Sequence, residues 1–273
     1  MREHNDDFPN VWTALLIVAL LTGIEIVIAG GFYDAGMTFT PGDPRASVIN
    51  VLGFGVVLSA LLSYKHLSWG RLFNPAGASA GALVPLLVPL LGMTAGAVIL
   101  AVEVGNVLEL LFPRSGAELE DDAELFTGGI VSLITLCVVA PFVEEMLFRG
   151  VFLRAFLGLY SPALAILLSA LLFGFAHLNI HQFVIASALG LVFGWLYYAT
   201  GSLWPSIVGH AAYNGGIYAY ARSFPDAGAG VLGGFPLHDP STLVIAVVAF
   251  GFGLASLAQA IDARFPAHGS WRR

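Results

Sequence analysis

The sequence predicts an all-α protein, a polytopic membrane bundle of about eight transmembrane helices, and three observations carry that prediction. Hydrophobic residues make up 58% of the 273 residues and charged residues only 11%. The mean hydropathy is +0.84. The apolar residues are gathered into runs of about 20, the length a helix needs to span ~30 Å of hydrocarbon.

Taken in order, the first run, 11–32, is too long for the apolar region of a signal peptide and is preceded by Asp6 and Asp7 with Arg2 as the single basic residue, so it reads as a retained helix. Runs at 46–64 and 80–102 follow. The segment 113–125 carries Glu118, Glu120, Asp121, Asp122 and Glu124 against Arg114 alone and reads as an outer loop. The remaining spans are 126–148, 162–178, 183–199, 203–220 and 241–261. Gly201-Ser202 makes a tight turn that sets the sixth and seventh helices side by side and antiparallel. Gly190 and Gly194 stand at the spacing that lets helices approach closely. The expected organisation is 1–125, three transmembrane helices and the acidic outer loop; 126–222, the core that carries the candidate site; and 223–273, an outer loop and a last transmembrane helix.

Charge sets the expected orientation. Lys65 and Arg71, Arg149 and Arg154, and Arg264, Arg272 and Arg273 all fall on one side of an eight-span layout. The positive-inside rule makes that side cytoplasmic, with both termini inside and the chain integral to the plasma membrane. The formal charge of −7 argues against nucleic acid as a partner. A single Cys137 excludes an internal disulfide framework. It reads as a small buried apolar side chain, seven residues before Glu144 and so on a similar helical face.

The most informative stretch is Pro141-Phe142-Val143-Glu144-Glu145-Met146-Leu147-Phe148-Arg149, where two carboxylates and a guanidinium lie inside a run otherwise fit for lipid. Each ionised residue near a bilayer centre costs roughly 3 kcal/mol, about 9 for the three, unless they pair or face a wet cavity. Glu145 and Arg149 are four apart and pair along one face, whereas Glu144 points about 100° away. Glu144 is therefore left to face a cavity, where desolvation suits it to act as a general base. Pro141 lacks a backbone donor, so a bend that admits water is expected one turn before the acids.

The fifth span ends in Phe173-Gly174-Phe175-Ala176-His177, and the seventh carries His210-Ala211-Ala212-Tyr213-Asn214. His210 and Asn214 share a helical face. Two glutamates, two histidines and an asparagine on three apolar helices read as one site. A metal site would use the same residue types, but there is no His-Glu-x-x-His signature, and the close histidine pair is His177 with His181. Neither Ser169 nor Cys137 has an activating base beside it. What remains is water activated by Glu144 with help from His177, and an oxyanion held by His210 and Asn214. That chemistry is a glutamate-dependent peptidase. Glu25, Glu103 and Glu109 have no motif around them and read as snorkelling or helix-linking residues outside the site.

In these residues the chain resembles the CAAX protease and bacteriocin-processing family of intramembrane glutamic endopeptidases, whose motifs are Glu-Glu-x-x-x-Arg, Phe-x-x-x-His and His-x-x-x-Asn. The three occur in order at 144–149, 173–177 and 210–214, and Thr200-Gly201-Ser202-Leu203-Trp204-Pro205 also looks typical. The resemblance covers about a quarter of the chain and is silent on the first three helices. It implies Glu144 as catalytic base, His177 as its partner in orienting water, His210 and Asn214 as oxyanion donors, and Glu145 with Arg149 as the supporting pair. His181 and Phe173 are candidates for shaping the pocket. It implies no cofactor and no bound metal. The implied substrate is a membrane-associated or prenylated (CAAX-type) protein or peptide, cut near its C-terminus within the lipid bilayer. A noncatalytic membrane scaffold or immunity factor of the same family, or a zinc-dependent protease, are the alternatives.

The simple layout contains one conflict of depth. Glu144 falls near the cytoplasmic end of the fourth span and His177 near the outer end of the fifth, about 15 Å apart at 1.5 Å per residue. The expected resolution is a fourth helix that continues past Arg149 toward Leu157 and turns at 158–162.

Overall fold

The structure, a computed structural model, describes residues 8–40, 42–223 and 239–265. Arg2, Asp6, Asp7, Arg272 and Arg273, and most of the segment before the last span, lie outside the described residues. Ten helices and no strand are present among those described. They are α1 (Val11–Asp34), α2 (Pro44–Tyr64), α3 (Trp69–Phe73), α4 (Ala80–Leu111), α5 (Gly116–Thr127), α6 (Gly129–Leu159), α7 (Pro162–Phe175), α8 (Ile180–Thr200), α9 (Trp204–Ser223) and α10 (Pro240–Arg264). The chain is a polytopic, integral membrane helical bundle.

Six of these, α1, α2, α4, α6, α8 and α10, are long and apolar enough to cross a membrane. The other two expected spans are helical but differ. Helix α7 has only 14 residues. Helix α9 has 20 residues, but carries His210, Tyr213, Asn214 and Tyr218 and is less apolar. The segment expected as an acidic loop is the helix α5. It opens on a capping box in which Ser115 Oγ accepts from the Glu118 amide and the Glu118 carboxylate accepts from the Ser115 amide at 2.8 Å.

The helix α6 is the axis of the molecule. Its second half is sealed: Leu147, Phe148, Val151, Phe152, Leu153, Phe156 and Leu157 are all buried. They meet Phe54, Val57, Leu58 and Leu61 of α2 on one side and Leu172 and Phe173 of α7 on another. The i, i+4 aromatics Phe148, Phe152, Phe156 and Tyr160 stack down this half at centroid separations of 5.6 to 6.4 Å.

The turn after α6 removes the conflict of depth. Glu144 stands 15 residues before Leu159, and His177 stands 15 residues after Pro162. Both therefore lie ~22 Å from the turn that joins the two antiparallel helices. Helix α6 does run past Arg149, and α7 is too short to carry His177 to the far side.

Glycines set the contact between α7 and α8. A methyl group at Gly190 would stand 3.0 Å from Cα of Ala170, and one at Gly174 would stand 2.6 Å from the backbone oxygen of Phe183. Gly174→Ala should therefore push the helices apart beside His177 and destabilise the protein by roughly 1–3 kcal/mol, read as a lower melting temperature in detergent. Gly215→Ala is the control, because a methyl there meets only Cys137 Sγ, at 3.5 Å. An unchanged melting temperature for Gly174→Ala would refute the close approach.

Candidate active site

Helix α6 is not regular. It passes into π-helical geometry at 135–139, returns to α-helix at 140–145, and is π-helical again over 146–153. In the first of these stretches the Ala140 amide bonds to the Thr135 carbonyl, five residues back. The next rung of the same pattern would run from residue 141 to Leu136, but Pro141 has no N–H. The Leu136 carbonyl is thus left over, and Asn214 Nδ2 of α9 donates to it at 2.8 Å. The altered register also explains Cys137. Seven residues no longer return to the same face, and its thiol is turned toward Gly215 rather than the cavity that Glu144 faces.

One turn on, the two acids separate as their 100° offset requires. Glu145 is fully buried and accepts from Arg149 Nη1 at 2.8 Å, and Arg149 is fully buried too. The guanidinium lies over the Phe173 ring, 4.4 Å from its centroid, and approaches the Gly190 carbonyl at 3.4 Å. Glu145 has a further partner across the bundle: His210 Nδ1 stands 3.0 Å from the same Oε1 that Arg149 meets. Since a carboxylate only accepts, Nδ1 carries the hydrogen, which turns Nε2 toward Glu144 Oε2 at 3.8 Å. The imidazole is stacked on Phe193, at 5.6 Å and 22°, with Phe173 edge-on to it.

His177 lies just beyond the end of α7, in a turn where Leu178 takes a φ of 57°. Its Nδ1 is 3.0 Å from the Phe173 carbonyl, so the hydrogen is on Nδ1 and the Nε2 lone pair is left for another donor. Phe173 thus contacts Arg149, His177 and His210 at once, while its ring packs on Phe148.

Glu144, His177, His210 and Asn214 line one cavity of about 380 Å³. Glu145 and Arg149 sit behind its wall. Ile185, Leu189, Phe193, Tyr213 and Ile217 form an apolar side, and Asn50, Asp43, Asp122 and Gln182 are polar members of the lining. Burial pushes the Asp122 carboxyl up to about 6 against the opposing pull of Arg114, with which it pairs at 2.6 Å. His181 is not among the lining residues. It faces Glu109 at 3.4 Å, and Glu109 also binds Arg114 at 2.8 Å, so both belong to the anchorage of α5. Glu25 packs over Gly53 and is near enough to Glu144 for their charges to interact. Among the described residues no three His, Cys, Asp or Glu side chains form a group that could hold a metal ion.

Two contributors were not foreseen from sequence, the Leu136 carbonyl and Phe193. Phe193 had a readable signal, since Gln182, Ile185, Ala186, Leu189 and Phe193 recur at three- and four-residue steps along one face of α8.

The model of the family described as Type II CAAX prenyl endopeptidase Rce1-like matches residues 126–216, the stretch that contains all three motifs. Over this stretch, about a third of the chain, the sequence is similar to the Rce1-like family. The chain is also similar to a Bacillus subtilis (strain 168) protein named Putative membrane peptidase YdiL, with 29% identity over 82 residues, 30% of this chain. The match spans about a third of that relative's length, 34%. No solved structure matches the chain.

Proposed function

We propose that the protein is an intramembrane glutamic endopeptidase that hydrolyses a peptide bond near the C-terminus of a membrane-associated or lipidated protein or peptide. The observation that carries this reading is the convergence of Glu144, His177, His210 and Asn214 on one partly apolar cavity, inside a segment similar to the Rce1-like family. Glu144 takes the proton of a water whose other hydrogen is held by the His177 Nε2 lone pair, and the water oxygen attacks the carbonyl carbon. The resulting oxyanion is met by the free N–H of Asn214 and by His210 Nε2. Donation from Nε2 requires a proton on each ring nitrogen of His210. Glu144 then returns its proton to the leaving amine.

The apolar side of the cavity, Ile185, Leu189, Phe193 and Ile217, suits an acyl or isoprenyl chain or an apolar peptide segment. The test is purified protein in proteoliposomes with a prenylated C-terminal peptide and its unlipidated counterpart, products read by mass spectrometry, with and without a chelator. Expected is a single cut near the C-terminus that survives chelation. No cleavage of either peptide would refute the substrate class, and loss on chelation restored by zinc would refute the metal-free mechanism.

A further inference from the structure

The cavity is one-sided. On α2 it is lined by Ala46, Ser47 and Asn50, all in the first turns; on α6 by Thr135, Leu136, Ala140 and Glu144, with no residue after Glu144. On α8 the lining comes from the N-terminal two-thirds, and on α9 from His210 onward. These portions all point to the same end of the bundle, the end that carries α5. Three contacts tie that end together: Thr40 to Glu124 at 2.6 Å, Thr135 to the Pro44 carbonyl at 3.1 Å, and Tyr218 to the Gly129 carbonyl at 3.1 Å. Toward the opposite end the way is closed by the sealed aromatic half of α6.

The two ends differ in charge. The closed end holds Lys65, Arg71, Arg154 and Arg264, of which Arg154 donates to the Arg71 carbonyl at 2.8 Å. The open end holds Glu118, Glu120, Asp121, Asp122 and Glu124. Its arginines among the described residues are Arg45, paired with Asp43 at 2.6 Å, Arg114, paired with Glu109 and Asp122, and Arg222. The bias in Lys and Arg puts the closed end in the cytoplasm.

We propose that the cavity opens on the extracytoplasmic face, beneath α5, and that its substrate is a peptide segment already on that side: an exported chain, or the outward tail of a membrane protein. This rests on the peptidase reading for the word substrate, but the direction of opening does not. Water and peptide reach Glu144 past Asn50, Gln182 and Asp122, some 20 Å below the start of α8 at the level of Phe193. A cytosolic C-terminus meets the packed side of α6 instead.

The experiment uses the full chain in a Cys137→Ala background, carrying single cysteines at Glu120, Asn50 or Arg71 and treated with a membrane-impermeant thiol reagent in intact and in lysed cells. Glu120→Cys and Asn50→Cys should be labelled in intact cells as fully as after lysis, and Arg71→Cys only after lysis. Gln182→Cys is a second cavity position should Asn50→Cys fail to accumulate. Labelling of Arg71→Cys but not Glu120→Cys in intact cells overturns the orientation. Labelling of Glu120→Cys with the cavity cysteines protected until lysis overturns the opening. None of these readouts depends on turnover, so an inactive protein would sink the peptidase reading and leave the sidedness measured.

Discussion

Glu144→Gln should reduce peptide hydrolysis by about 10²–10⁴-fold, the contribution of a positioned base, while leaving the melting temperature unchanged. The amide keeps the shape of the carboxylate and cannot take a proton from water. The fold does not depend on this charge, because Glu144 is 20% exposed in the cavity and the basic side-chain nitrogen it faces, His210 Nε2, is 3.8 Å away. Single-turnover cleavage in proteoliposomes beside a thermal melt separates the two effects. Turnover within threefold of the parent would remove Glu144 from the mechanism and return the chain to the scaffold reading.

Arg149→Met should do the opposite and act first on stability. Arg149 and Glu145 are both fully buried and meet at 2.8 Å. Removing one member of a buried pair strands the other charge, at a cost of roughly 3–5 kcal/mol. Methionine fills most of the volume beside Phe173 and Phe193, so loss of packing is a small part of the effect. The double variant Glu145→Gln/Arg149→Met should recover much of the melting temperature without recovering activity, because His210 Nδ1 would no longer face a carboxylate. If Arg149→Met melts with the parent, the pair does not hold the fold.

These two outcomes rest on parts of the chain that differ in how openly the sequence announces them. The division of labour between Glu144 and Glu145 is local geometry: adjacent helical residues diverge by a fixed angle, and an i, i+4 arginine selects its acid. The apolar runs likewise announce their helices, since little else satisfies a backbone in hydrocarbon. Helix α5 was hidden by its acidity, although Ser115 and Glu118 spell out its start. The position of His177 beyond the end of α7 depends on the left-handed turn at Leu178, which no glycine marks. His210 reaches Glu145 across 65 residues, and helical periodicity fixes a face without naming the neighbour opposite it. The π-helical stretches of α6 depend on packing against α2, α7 and α9, and so escape any reading of one segment alone.

The ring of Pro141 has a final effect at a distance. A carboxamide has two ends of nearly equal size, one a donor and one an acceptor, and an oxyanion is stabilised only by the donor. The leftover Leu136 carbonyl repels the oxygen of Asn214 and holds its nitrogen, which has a second hydrogen to offer the cavity. A hydrogen missing from the main chain of one helix thereby decides the polarity that a side chain on another presents to the cavity.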